Sequence, residues 1–216
     1  WLIELTLAAA VAVTAIPIVR AYTWPLVMHT GSTPAWFDTT AKHLPPSSVV
    51  LVYPYPSSAA SQALYWQAHD DMDFRLVGGR AEIPGADGRH SQHLDALGGS
   101  DAFLAATSFG LTIPPAPTAS QMTQLRQSLE SWGADVVVIV DDGQAPAWAA
   151  AVFTEVIGRL PRRQDGALAW YSADAGWESV PPLTLSSAAI ERCSGDGYSQ
   201  QSMEAAPACV MAARRH

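Results

Sequence analysis

Lysine is nearly missing from this 216-residue chain, where Lys42 stands alone beside eleven arginines. Charge of either sign is sparse, at 15%, and the balance is acidic, with a formal net charge of −8. Holding a nucleic acid requires clustered Lys and Arg to displace counterions from phosphate. No nucleic-acid partner is therefore expected. The lysine shortage beside abundant alanine reads as the bias of a GC-rich coding sequence. Cysteine is confined to Cys193 and Cys209, with fifteen residues between them, which fits no zinc-ligand spacing. No G-x-S-x-G elbow is present, and Gly98-Gly99-Ser100-Asp101 does not supply one. A phosphate loop of the G-x-x-x-x-G-K type is absent too, because the single lysine lies elsewhere. No internal repeat recurs. No catalytic residue, metal or cofactor is assigned from these patterns.

What is present is core material, 49% hydrophobic, enough to bury one substantial core. Residues 118–171 are the most legible. Met122, Leu125, Leu129 and Trp132 have helical spacing, Thr118 and Gln121 have capping-box spacing, and Gly133 is placed to end the helix. The run 134–140 is the unbroken β-branched pattern of a strand covered on both faces. Pro146 suits the first turn of a helix that buries Trp148, Val152, Phe153 and Val156 and stops at Gly158. Asp165-Gly166 then turns into a strand over 167–171. A helix joining two strands predicts a parallel crossover. Upstream, 49–53 reads as a buried strand, Ser57 caps a helix to about His69 with Leu64 and Tyr65 or Ala68 inward, and 73–77 is a third strand. The fold class expected is α/β, a small, mainly parallel sheet with flanking helices.

Before it, residues 2–19 carry one charge, Glu4, over a length at the lower end of what crosses about 30 Å of hydrocarbon. Trp1, Tyr22 and Trp24 stand where aromatic belts stand. Residues 1–22 are thus expected to be a transmembrane helix, the last of several, in a fragment of a longer protein; a signal peptide and a buried helix are the competing readings. Arg20 is the lone cation within twenty residues of the span, and this scarcity places the soluble part outside the cytoplasm. A linker over 23–46, with a short helix at 36–43, leads to the α/β domain at 47–172. The tail at 173–216 encloses a Gly, Ser and Gln-rich stretch, for which a Cys193–Cys209 disulfide in an oxidising compartment is expected.

Three clusters invite chemistry, and each has a plainer reading. Val138-Ile139-Val140-Asp141-Asp142-Gly143 resembles the strand-end signature of GT-A nucleotide-sugar transferases, or else its acids cap the next helix. Asp71 and Asp73 form a D-x-D that a hard cation accepts only with further ligands; otherwise they are a polar helix end. Arg80, Arg89, His90 and His93 lie in a glycine-rich loop from which they can grip a phosphate or carboxylate, or simply be solvated. Tyr53, Tyr55, Tyr65 and Trp66 offer rings on which sugars stack, unless they are core.

Leu44-Pro45-Pro46 entering the strand at 49–53, the stretch from Phe74 to Arg80, Trp132-Gly133-Ala134-Asp135 entering the second strand, and the run from Gly166 to Tyr171 form a pattern. Together they resemble the C-terminal soluble domain of bacterial polytopic membrane proteins related to GT-C glycosyltransferases. The resemblance spans residues 1–172. It implies an accessory extracytoplasmic domain at the cell membrane, with sugar transfer carried by membrane helices outside this sequence, so no catalytic residue transfers to any position here. The partners implied are those helices and a glycan or lipid-linked sugar, with Tyr55, Trp66, Arg80, Arg89 and His90 as binding candidates. The alternatives are an interaction domain on a membrane protein without transferase activity, and an independent enzyme using the acidic clusters.

Overall fold

A computed structural model describes residues 32–57, 61–79, 82–84, 90–92, 99–109, 114–141, 145–177, 187–195 and 199–213. The chain divides into two compact units, Trp1–Ser32 and Thr33–His216. The expected membrane span at 1–22 lies outside the described residues. Among those described, no helix is long and apolar enough to cross a membrane.

The second unit opens with α1 (Ala35–Asp38) and a single 3-10 turn, then β1 (Val49–Tyr53), α2 (Gln62–His69) and β2 (Arg75–Leu76). A small antiparallel hairpin, β3 (Glu82–Pro84) and β4 (His90–Gln92), precedes α3 (Ser100–Phe109) and α4 (Ala119–Ser131). Next come β5 (Val136–Ile139), α5 (Pro146–Ile157), β6 (Arg162–Gln164) and β7 (Ala167–Tyr171). The chain closes with α6 (Ser172–Ala175), α7 (Ser187–Ser194) and α8 (Gln200–Ala213).

Five strands form one sheet in the order β2-β1-β5-β7-β6. β1 is parallel to both β2 and β5, whereas β7 is antiparallel to both β5 and β6. The sheet is therefore mixed, not mainly parallel, and the reason is local. The crossover through α5 does return the chain in the direction of β5, but it lands in β6 at the edge. Asp165 and Gly166, with φ of 48° and 79°, form the tight reversal expected between antiparallel strands. That reversal feeds β7 into the space between β5 and β6, and β6 itself is a strand that the 162–164 sequence RRQ does not announce.

Alternation divides the side chains between two covered faces. Leu51, Tyr53, Val137, Ile139, Leu168 and Trp170 face the layer of α4, α5, α7 and α8. Val50, Val52, Val136, Val138 and Ala169 face Trp36, Phe37, Trp66 and Phe74. Residues 35–43, expected within a linker, thus contribute two fully buried aromatic rings to the second layer. The tail expected at 173–216 likewise folds into the first layer, bringing Ile190, Met203, Ala206 and Val210 against α5. Cys193 and Cys209 are joined by a disulfide that ties α7 to α8.

Local signals set the helix ends. Thr118 and Gln121 make the reciprocal capping box, and Gly158 ends α5 in the left-handed conformation with φ of 80°. Every residue of α5 is buried. Its C-terminal carbonyls carry partial negative charge, and the buried Arg126 of α4 donates Nε–H to the Val156 carbonyl at 2.7 Å. Asp135 aligns the two central strands by accepting the Val49 amide at 2.9 Å on Oδ2 while its own amide bonds the Val49 carbonyl.

Val138 has no exposed surface and sits among aromatic and aliphatic neighbours. Val138→Asp is expected to abolish cooperative unfolding, because a carboxylate there has neither water nor a partner. A cooperative melt of that variant, followed by circular dichroism, would refute the two-sided burial of β5.

Candidate functional site

In open α/β sheets ligands bind outside the carboxyl ends of the strands, where successive connections depart in opposite directions. Here that point lies between β1 and β5. The connection leaving β1 runs through α2 to β2 on one side, and that leaving β5 runs through α5 to β6 on the other. Tyr53 ends β1 and is followed by the cis-linked Pro54, then Tyr55 and Pro56. Val140 and Asp141 follow β5, and Gly78 and Gly79 follow β2.

Helix α3 lies against this edge. The Tyr53 hydroxyl donates to the Thr107 carbonyl at 3.0 Å, the Tyr55 amide to Ser108 Oγ at 2.7 Å, and the Tyr55 hydroxyl to Asp101 Oδ1 at 2.5 Å. Behind them the Trp148 ring lies 6.4 Å from that of Tyr53 and 5.8 Å from that of Phe103. Trp148 is fully buried, and its Nε1 has no acceptor among the described residues. Gly78 has φ of 84°, and a Cβ there would meet Tyr55 Cζ at 2.5 Å. Glycine at this position lets the phenol seat against Asp101. Burial pushes the Tyr53 hydroxyl up to about 12, with its bonds to α3 opposing. Burial also raises Tyr55 well above the ordinary phenol range, reinforced by the hydrogen bond to Asp101 and its charge. Both phenols are therefore neutral hydrogen-bond donors near pH 7.

The five sequence candidates do not form one surface. Tyr55 is buried at the switch point. Trp66 is only 1% exposed, with its ring 4.9 Å from that of Phe37. Neither presents the solvent-facing ring expected of a sugar platform. The reason for Trp66 is helical phase: Ala63 and Trp66 point inward on α2, and Tyr65, expected inward, is 51% exposed and stacked on His69. Arg80 and Arg89, with His93, lie outside the described residues, and His90 pairs with Pro84 in the small hairpin. Asp141 is exposed just beyond β5, Asp142 lies outside the described residues, and α5 begins from Ala145 in a left-handed conformation with no side-chain cap. Asp101, Thr107, Ser108 and Trp148 were not legible as site residues. A tyrosine set between prolines at 54–56 was the available signal.

The acidic cluster at 70–73 is separate. Asp70 is buried and its Oδ2 has no hydrogen-bond partner among the described residues, while Asp71 and Asp73 are exposed. No group of three metal-ligating side chains comes together among the described residues. Burial raises the Asp70 carboxyl above its ordinary value, Lys42 opposes the rise, and Asp73 and Asp71 add to it.

A raised carboxyl favours folding most when protonated, so its contribution is complete below the ordinary carboxylate range and is lost as the pH rises through the folded value. Asp70→Asn is expected to melt higher than the wild type at pH 7 and alike near pH 3. A lower melting temperature at pH 7 would mean that ionised Asp70 is stabilising. Tyr53 follows the same sign at alkaline pH: stability should fall between pH 10 and about 12 by on the order of 2 kcal/mol. Tyr53→Phe should flatten that fall in denaturant titrations, and an unchanged slope would refute the assignment.

Set against known proteins, the chain matches no family model, no curated protein and no solved structure, so the likeness to the GT-C group rests on the sequence pieces that carry it.

Proposed function

We propose that this chain supplies an accessory, extracytoplasmic binding domain to a membrane protein of glycosyltransferase type, holding an acceptor glycan or lipid-linked sugar beside a membrane-embedded reaction site. The observation that carries the binding reading is the switch-point edge, where uncharged donors and aromatic walls converge at Tyr53, Tyr55 and Trp148, all buried and the two phenols bonded to α3. Neutral phenol and indole donors suit hydroxyl and ether oxygens, and ring faces suit the C–H face of a sugar. The Cys193–Cys209 bond supports an oxidising compartment, since such bonds persist outside the cytosol. Affinity should be weak, because each polar contact replaces one made with water.

The test incubates the chain with nucleotide sugars, lipid-linked sugars and divalent metals while following product and tryptophan fluorescence. Fluorescence shifts with oligosaccharide and no turnover are expected. Turnover that disappears in Asp71→Ala or Asp141→Ala would replace this reading with an independent enzyme.

A further inference from the structure

Four hydrogen-bond donors belong to the aromatic cluster at the carboxyl end of β1: the Tyr53 hydroxyl, the Tyr55 amide, the Tyr55 hydroxyl and the Trp148 indole N–H. Three of them are met by oxygens of a single ten-residue helix, α3: the Thr107 carbonyl, Ser108 Oγ and the Asp101 carboxylate. The fourth, Trp148 Nε1, is buried with no acceptor among the described residues.

Helix α3 is also held differently from its neighbours. Leu104 is the one buried hydrophobic side chain among those described on it, whereas Phe103 and Ala105 are half-buried. Among the described side chains of α3 the remaining anchors are polar, including the Ser128 hydroxyl donating to Ser100 Oγ at 2.8 Å. By contrast α5, beside it, is buried at every position. A segment fixed by few apolar contacts and several replaceable hydrogen bonds is the kind that opens locally before the whole domain does.

We propose that α3 is a displaceable plug, a self-ligand occupying the switch-point site, and that the outside ligand it mimics is an uncharged, oxygen-rich ring of the sugar class. This rests on the binding reading above and adds where the ligand sits and what it must displace. The chemistry of the plug defines the class. It offers three acceptor oxygens to three donors and sets an apolar ring, Phe103, 5.8 Å from the Trp148 ring at a tilt of 49°. A pyranose presents the same combination, with oxygens at its rim and C–H bonds on its face. One of the plug's acceptors, Asp101, is a carboxylate, yet none of the four donors carries a formal positive charge, so a neutral hydroxyl or ether oxygen can take its place and a phosphate gains no ion pair. The unused indole N–H gives the outside ligand a bond that α3 leaves unmade.

The experiment uses the full chain and weakens the plug from its own side. Asp101→Ala and Ser108→Ala each remove an acceptor from α3 and leave every donor of the site in place. In amide hydrogen exchange, α3 should exchange before β5 in the wild type, and each variant should quicken α3 exchange by roughly fivefold, the effect of one ordinary hydrogen bond. Exchange of α3 and β5 together, in wild type and variants alike, would overturn the plug. In parallel, maltose, cellobiose and mannobiose are titrated and followed by tryptophan fluorescence. At least one should bind the variants severalfold more tightly than the wild type, because apparent affinity scales with the open fraction, and Trp148→Phe should weaken it. Equal affinity for wild type and variants would overturn the plug while leaving sugar binding standing. Faster α3 opening with no disaccharide bound would keep the plug and overturn the ligand class.

Discussion

The parallel pairing of β1 with β5, from Val50 against Val136 to Tyr53 against Ile139, places side chains on two opposite faces that must each be kept dry. Trp36, Phe37, Trp66 and Phe74 cover one face, and α4, α5, α7 and α8 cover the other. The register is held at its start by Asp135, which bonds both the amide and the carbonyl of Val49. A slip by one residue would exchange the two faces, setting side chains matched to one layer against the other.

Where the sequence carried a local rule, the structure follows it. The β-branched runs became the two central strands, the Thr118–Gln121 spacing became a capping box, and Gly158 and Asp165-Gly166 took the left-handed conformations that a stop and a reversal need. These features depend on a few adjacent residues, so they are visible without tertiary information. The paired cysteines were legible for a related reason, because a polar segment between two thiols suggests its own closure.

What was hidden depended on distance. The insertion of β7 between β5 and β6 is decided by which edge the crossover reaches, not by the residues of the crossover. Trp36 and Phe37 looked like linker residues because Trp66, whose ring meets that of Phe37, lies 29 positions further on and only folding brings the cluster together. The candidate site was harder still. Tyr55 is recruited into it by Asp101 and Ser108 from α3 and by the missing side chain of Gly78, three contacts from two other segments. No spacing rule links those positions, so solvent-facing stacking was expected where donor groups turned inward.

The burial of α5 carries a consequence for the order in which the chain is made. Its twelve residues, rich in Ala, Val, Trp and Phe, have no solvent-facing stripe, because α7 and α8 pack against it as well as the sheet and α4. Those two covering helices follow α5 in sequence, beginning only at Ser187. During synthesis the sheet and α4 can assemble first, but α5 then waits with apolar surface open to water or to any passing hydrophobic partner. The nascent chain must therefore shield this helix, or hold it loosely, until the cover at 187–213 has emerged.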